Sequence, residues 1–159
     1  MGDRRKGRIL AFQALYAWDT QRTLSPADDK EQALKDLLDF SWVEKDSPAN
    51  KGEQGDGDDT AVFPRLLVTG TVENIKAVDS MIRKHLEHWD FSRLNSVDRA
   101  LLRLSVYELL FQTAPPTVVI DEAVDISKEY GTDDSYRFVN GVLDGVNKTI
   151  QSKSTKKEE

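Results

Sequence analysis

Apolar residues recur every three or four positions through almost the whole of this chain, and nowhere do they alternate with polar ones over the length of a strand. A helix brings positions i, i+3, i+4 and i+7 onto one face, whereas a half-buried strand needs a period of two. The pattern therefore predicts an all-α fold. Its clearest run, Val68, Val72, Ile75, Val78, Ile82, Leu86 and Trp89, predicts one long amphipathic helix after Pro64.

The same spacing predicts five further helices. The first runs from about Arg4 to Gln21 and is apolar around most of its circumference beyond Arg8, which suits a central position. Ser25-Pro26 supplies a cap and a helix-starting proline for the second, with Ala33, Leu34, Leu37, Leu38 and Trp42 inward. Ser96 can cap a fourth helix carrying Asp98 in its first turn and Leu101 to Phe111 behind it. Pro115-Pro116 stops that helix and starts a fifth, which ends at Gly131, read as a left-handed C-cap. Thr132 to Ser135 offer caps for a sixth, with Phe138/Val139, Val142/Leu143 and Val146 as its core stripe. Gly141 and Gly145 weaken this helix unless something must approach closely there. Between the second and third helices, the acidic, glycine-rich stretch 47–60 has no large apolar residue to offset its ordering entropy, and it reads as a flexible loop. The expected organisation is one domain with helical halves at 1–89 and 90–150 and a charged, frayed tail at 151–159.

A chain of 159 residues can bury a core without staples, and the lack of cysteine excludes disulfides, thiolate catalysis and cysteine-ligated zinc. That fits a cytoplasmic setting. No apolar run is long enough to span a membrane. His85 and His88 lie three apart but have no third ligand at a helical spacing, so they read as surface or packing residues rather than a metal site. Glycine-rich phosphate loops and nucleophile motifs are missing, and the glycines at 52–57 sit among acids, the wrong sign for holding phosphate. Neither an enzymatic activity nor a cofactor is expected.

The net charge of -6 disfavours nucleic acid unless cations are locally concentrated. They are concentrated at the start, where Arg4, Arg5, Lys6 and Arg8 crowd the first helical turns. At 100° per residue Arg5, Lys6, Gln13 and Tyr16 share one sector, with Arg8 at its border and Arg4 further round. Cation, amide and phenol on one stripe suit unpaired RNA: phosphate pairing, a base edge, a stacked base. The plainer alternative is a solvated basic tail. A second cluster, "YGTDDSYRFVNG", sets Tyr136, Arg137 and Phe138 in succession, so not all three can face the core. An arginine beside an aromatic suits a stacked base or a protein interface; the alternative buries Phe138 and half-buries Tyr136.

These two clusters, together with "QALYAW", "SVDRALLRLSVYELL", "PPTVVIDEAVDISKEYG" and "FVNGVLD", strongly resemble the NusB family of bacterial transcription antitermination factors. The likeness runs from Arg4 to about Val146. It implies two packed three-helix subdomains and a bacterial cytoplasmic protein. It further implies pairing with NusE, a small-subunit ribosomal protein, binding of the single-stranded boxA element, and loading of an antitermination complex on RNA polymerase, chiefly in ribosomal RNA synthesis. By position, the resemblance assigns Arg4, Arg5, Lys6, Arg8, Gln13, Tyr16, Arg137 and Phe138 to the RNA surface. Asp98, Tyr130 and Asp134 fall at or near the NusE contact. Some relatives form dimers, so a homodimer is a further implication. Gly7 interrupts the basic run that relatives often carry unbroken, and its low helix propensity suggests a head ordered only by RNA. Two rivals remain: a helical protein-interaction module that never touches RNA, and the NusB-like domain of an RNA methyltransferase, for which no catalytic segment follows here.

Overall fold

The computed structural model describes residues 3–24, 59–86 and 90–157. The expected helix after Ser25-Pro26, nearly all of the acidic stretch 47–60, His88 and Trp89 lie outside these residues. Among the described residues there are six α-helices and no strand: α1 (Asp3–Leu24), α2 (Asp59–Glu73), α3 (Ile75–Lys84), α4 (Ser96–Phe111), α5 (Pro116–Tyr130) and α6 (Ser135–Lys157), with a 3-10 turn at Phe91–Arg93. The all-α expectation holds. The chain divides into two compact units, Met1–Thr69 and Gly70–Glu159, with the division inside α2.

In the first unit, α1 buries Ala11, Phe12, Ala14, Leu15 and Trp18, and α2 buries Leu67 and Val68. Gly7 is what lets the two helices meet at their starts: a Cβ there would stand 2.6 Å from Phe63 Cδ2 and 3.4 Å from Pro64 Cδ. The head is accordingly helical from Asp3, contrary to the expectation drawn from glycine's propensity. Propensity is a weak term, and tertiary packing overrides it here. Pro64 lies inside α2 rather than ahead of it, and it too is buried.

Over its described residues, the single rod expected from Val68 to Trp89 is two helices. At Asn74 the backbone N–H and the side-chain amide both donate to the Gly70 carbonyl, at 3.1 and 2.9 Å, and α3 starts afresh at Ile75. The asparagine side chain thus adds a second donor to a carbonyl that its own backbone N–H already takes, at a point the apolar period runs straight through. Within the second unit α4 is central, packed by α3, α5 and α6, and every residue from Ala100 to Glu108 is buried. Its cap is Asn95, not Ser96: the Asn95 side-chain oxygen accepts from Val97 N and Asp98 N at 2.8 and 3.2 Å. Arg103, inside this core, is neutralised by Asp79 through Nε and Nη2 at 2.9 and 3.0 Å.

Gly131 follows α5 with φ -92 and ψ -169, an extended conformation open to any residue, so it is not the left-handed cap expected. It is needed for space, because a Cβ would meet Ser135 Cβ at 2.6 Å and the Ser127 carbonyl oxygen at 2.7 Å. The Thr132 N–H donates to Ser135 Oγ at 2.9 Å and the Ser135 N–H to the Thr132 carbonyl at 3.1 Å, a reciprocal pairing that fixes the start of α6. Val139, Val142, Leu143 and Val146 form its buried stripe. The tail expected to fray after Gln151 continues the helix to Lys157. Gly145 admits the His85 ring, whose Nε2 pairs with Thr149 Oγ1 at 3.1 Å, whereas Gly141 opens onto empty space.

Candidate nucleic-acid and partner interface

The head is a turn of helix carrying its charge outward. Arg4, Arg5 and Lys6 are exposed. The Arg4 guanidinium sits 4.2 Å from the centroid of the Phe63 ring, which holds the side chain by cation–π attraction while leaving its N–H edge accessible. Arg8 differs from its neighbours. It is 6% exposed, its guanidinium lies 5.6 Å from the same ring, and it presents little surface to a ligand. Two turns on, Gln13 is half-buried and Tyr16 is 41% exposed, so the cation–amide–phenol stripe exists with Arg8 turned inward. Cations at a helix N-terminus gain nothing from the dipole, and an approaching phosphate would relieve both that mismatch and their mutual repulsion.

The second unit holds the other residues singled out from the sequence. At the start of α6, Tyr136 and Phe138 are both half-buried and Arg137 is exposed. Arg137 Nε donates to the Tyr136 hydroxyl at 2.9 Å, and the Lys128 ammonium lies 5.4 Å from the Tyr136 ring centroid. Tyr136 is thus flanked by two cations, a role the sequence did not assign to Tyr136 or Lys128.

Asp98 meets Ser135, a fully buried side chain that sequence reasoning used only as a cap. The Ser135 hydroxyl bonds to the Asp98 carboxylate, Asp134 precedes it in the chain, and Gly131 brings the end of α5 against it. Asp134 and Tyr130 are exposed. Asp98 is 8% exposed, and its Oδ1 is a buried oxygen with no hydrogen-bond partner. Burial pushes the Asp98 carboxyl above the usual carboxylate range, and the Ser135 bond pulls it partly back. An unsatisfied buried acceptor costs about 1–3 kcal/mol, and none of the described residues supplies a donor at this corner. Burial also raises the Tyr130 phenol, with the Glu129 charge adding to the effect.

Among the described residues no group of three His, Cys, Asp or Glu could hold a metal ion, and no helix is long and apolar enough to cross a membrane.

Comparison with known proteins places these features in a family. The model of the NusB family matches residues 5–148. The transcription antitermination protein NusB of Treponema denticola is 49% identical over 144 residues, covering 90% of this chain and 94% of its own. Among solved structures, NusB of T. maritima superposes with a TM-score of 0.71 at 37% identity, covering 91% of this chain and 90% of the other. A crystal structure of antitermination factors NusB and NusE in complex with double-stranded RNA contains a chain similar at TM-score 0.70 and 30% identity, covering 94% of this chain and 98% of that one.

Proposed function

The chain belongs to the NusB family of transcription antitermination factors, and from that premise we propose that it binds single-stranded boxA-type RNA jointly with the ribosomal protein NusE. In this role it loads the antitermination complex on RNA polymerase during ribosomal RNA synthesis. Arg4, Arg5 and Lys6 take phosphates, Gln13 and Tyr16 meet bases, and Arg137 and Phe138 extend the RNA surface. Arg8 acts from beneath, fastening the head to Phe63. Asp98, Tyr130 and Asp134 receive NusE, whose basic side chains complement them.

The observation that carries the proposal is the exposed cationic turn Arg4–Lys6 in a chain whose net charge is -6. Such a surface attracts RNA only locally, and a basic partner that widens it should raise affinity. The buried, donor-less Oδ1 of Asp98 supports a cationic or N–H-bearing partner at the second surface. A similar chain in complex with NusE and double-stranded RNA supports partnership with NusE and with RNA as a class. Labelled boxA RNA is titrated with the protein, alone and with NusE, and tighter binding in the presence of NusE is the expected result. Equal affinities would refute joint binding. If alanine at Arg4, Arg5 and Lys6 leaves RNA retention unchanged, the chain is instead a protein-interaction module.

A further inference from the structure

A second cationic cluster lies in the Gly70–Glu159 unit, around Phe91. Phe91, in the 3-10 turn, has the guanidinium carbons of Arg83, Arg103 and Arg99 at 4.7, 5.2 and 6.0 Å from its ring centroid. Arg83 comes from the last turn of α3 and the other two from α4. Gathering three like charges around one ring costs Coulomb energy. Asp79 offsets it for Arg103, the buried member. Arg83 is exposed, as are Lys84 beside it and Arg93 at the end of the 3-10 turn. Between Arg83 and Arg103 the sequence has five arginines and lysines against three acids, Glu87, Asp90 and Asp98. Asp98 is buried at Ser135, and Asp90 accepts from Ser92 N at 3.2 Å. With Arg103 paired to Asp79 and Asp98 buried, the exposed charges described in this segment are Arg83, Lys84 and Arg93 against Asp90, a cationic excess on an anionic protein.

We infer that Arg83, held against Phe91, together with the exposed Lys84 next to it in the chain and the exposed Arg93 at the end of the 3-10 turn, forms a second, sequence-independent site for the phosphate backbone of single-stranded RNA. This rests on the proposed RNA-binding function. A guanidinium laid against an aromatic ring keeps its in-plane N–H groups directed outward, the geometry that pairs with phosphate oxygens. The head spans about one helical turn, some 5 Å, whereas a transcript is a continuous polyanion much longer than that. Phosphates beyond those the head takes are therefore free to meet a further cationic surface, and Arg83, Lys84 and Arg93 offer one. An acidic protein segment would also be attracted, and the test separates it from RNA.

The test uses the full chain with NusE and two single-stranded RNAs, a short boxA element and the same element extended by a uridine tract. Arg83→Gln, Lys84→Gln and Arg93→Gln are combined; a double variant, Lys84→Gln with Arg93→Gln, leaves the Arg83–Phe91 stack intact in case the triple variant unfolds. Expected for the triple variant is a loss of about 100-fold in affinity for the extended RNA at 0.1 M salt, with a salt slope shallower by about 2, and for the double variant a smaller loss with a slope shallower by about 1, while both bind the short element as before. Unchanged affinity and slope for the extended RNA in both variants overturn the site. So does a surface that polyglutamate occupies while extended RNA does not, which would assign it to an acidic protein. If the unaltered protein with NusE retains neither RNA, the proposed function falls and this site falls with it.

Discussion

The basic head keeps its charge in water, and the Asp98 corner keeps its charge inside protein. Arg4, Arg5 and Lys6 repel one another, but water and salt screen them, so the isolated protein loses little by carrying them. Asp98 has no such relief: one carboxylate oxygen is bonded by Ser135 and the other is buried without a donor. Both arrangements oppose the stability of the free chain, and both make sense as halves of a contact. They should nevertheless report differently. The head should be read through the salt dependence of binding, and the corner through stability and pH.

The head should show the largest effect. Three phosphate contacts on a single strand give a salt slope of about -2, so removing them should weaken RNA binding by about 100-fold at 0.1 M salt and hardly at all near 1 M. Replacing Arg4, Arg5 and Lys6 by alanine, with the melting temperature followed in parallel, checks this. An affinity loss that persists undiminished at high salt would mean that the head acts by folding rather than by charge, and the contrast with Asp98 would fail.

Next is the anchor that holds the head in place. Gly7→Val sets a branched side chain where even a Cβ would come within 2.6 Å of Phe63. Overpacking of this kind costs about 2 kcal/mol, which for a chain of this size lowers the melting temperature by roughly 6 °C. RNA affinity should fall as well, because Arg4 and Arg8 both lie over the displaced ring. If stability falls and RNA affinity does not, the Phe63 contact positions nothing.

The difference between the two regions also explains what the sequence could and could not reveal. The helices of the second unit, and the basic stripe itself, follow from spacing, because a 3.6-residue period and a run of arginines are local facts. Family membership was legible in runs such as "QALYAW" and "FVNGVLD", which are local too. What sequence reading missed depends on partners far along the chain. Gly7 looked like a weakness in α1, and only Phe63 shows it to be a place of close approach. Arg8 belonged by spacing with the exposed cations, and the same ring turns it inward. Ser135 was one of several caps until Asp98, from another helix, was found bonded to it. The break at Asn74 escaped for a different reason, since the apolar period passes straight through it.

The smallest effect, and the one with the most diagnostic sign, belongs to Asp98→Asn. Asparagine keeps a partner for Ser135 and removes the buried charge, so the free protein should gain about 1 kcal/mol at neutral pH. Binding to NusE should weaken, because the amide no longer attracts a cation. The pH dependence follows from the direction of the shift. A carboxyl raised above its usual value of 3.8 binds its proton more tightly in the folded state than in the unfolded one. Its contribution to stability is therefore most favourable below pH 3.8 and is lost as pH rises through the folded value. Chemical denaturation of both proteins across acidic to neutral pH, with the wild-type curve subtracted, should show the advantage of the variant opening as pH rises and then levelling off. A variant less stable than wild type at every pH would make Asp98 an ordinary structural acid with its hydrogen bonds satisfied, and would remove the physical reason for a donor from NusE at that corner.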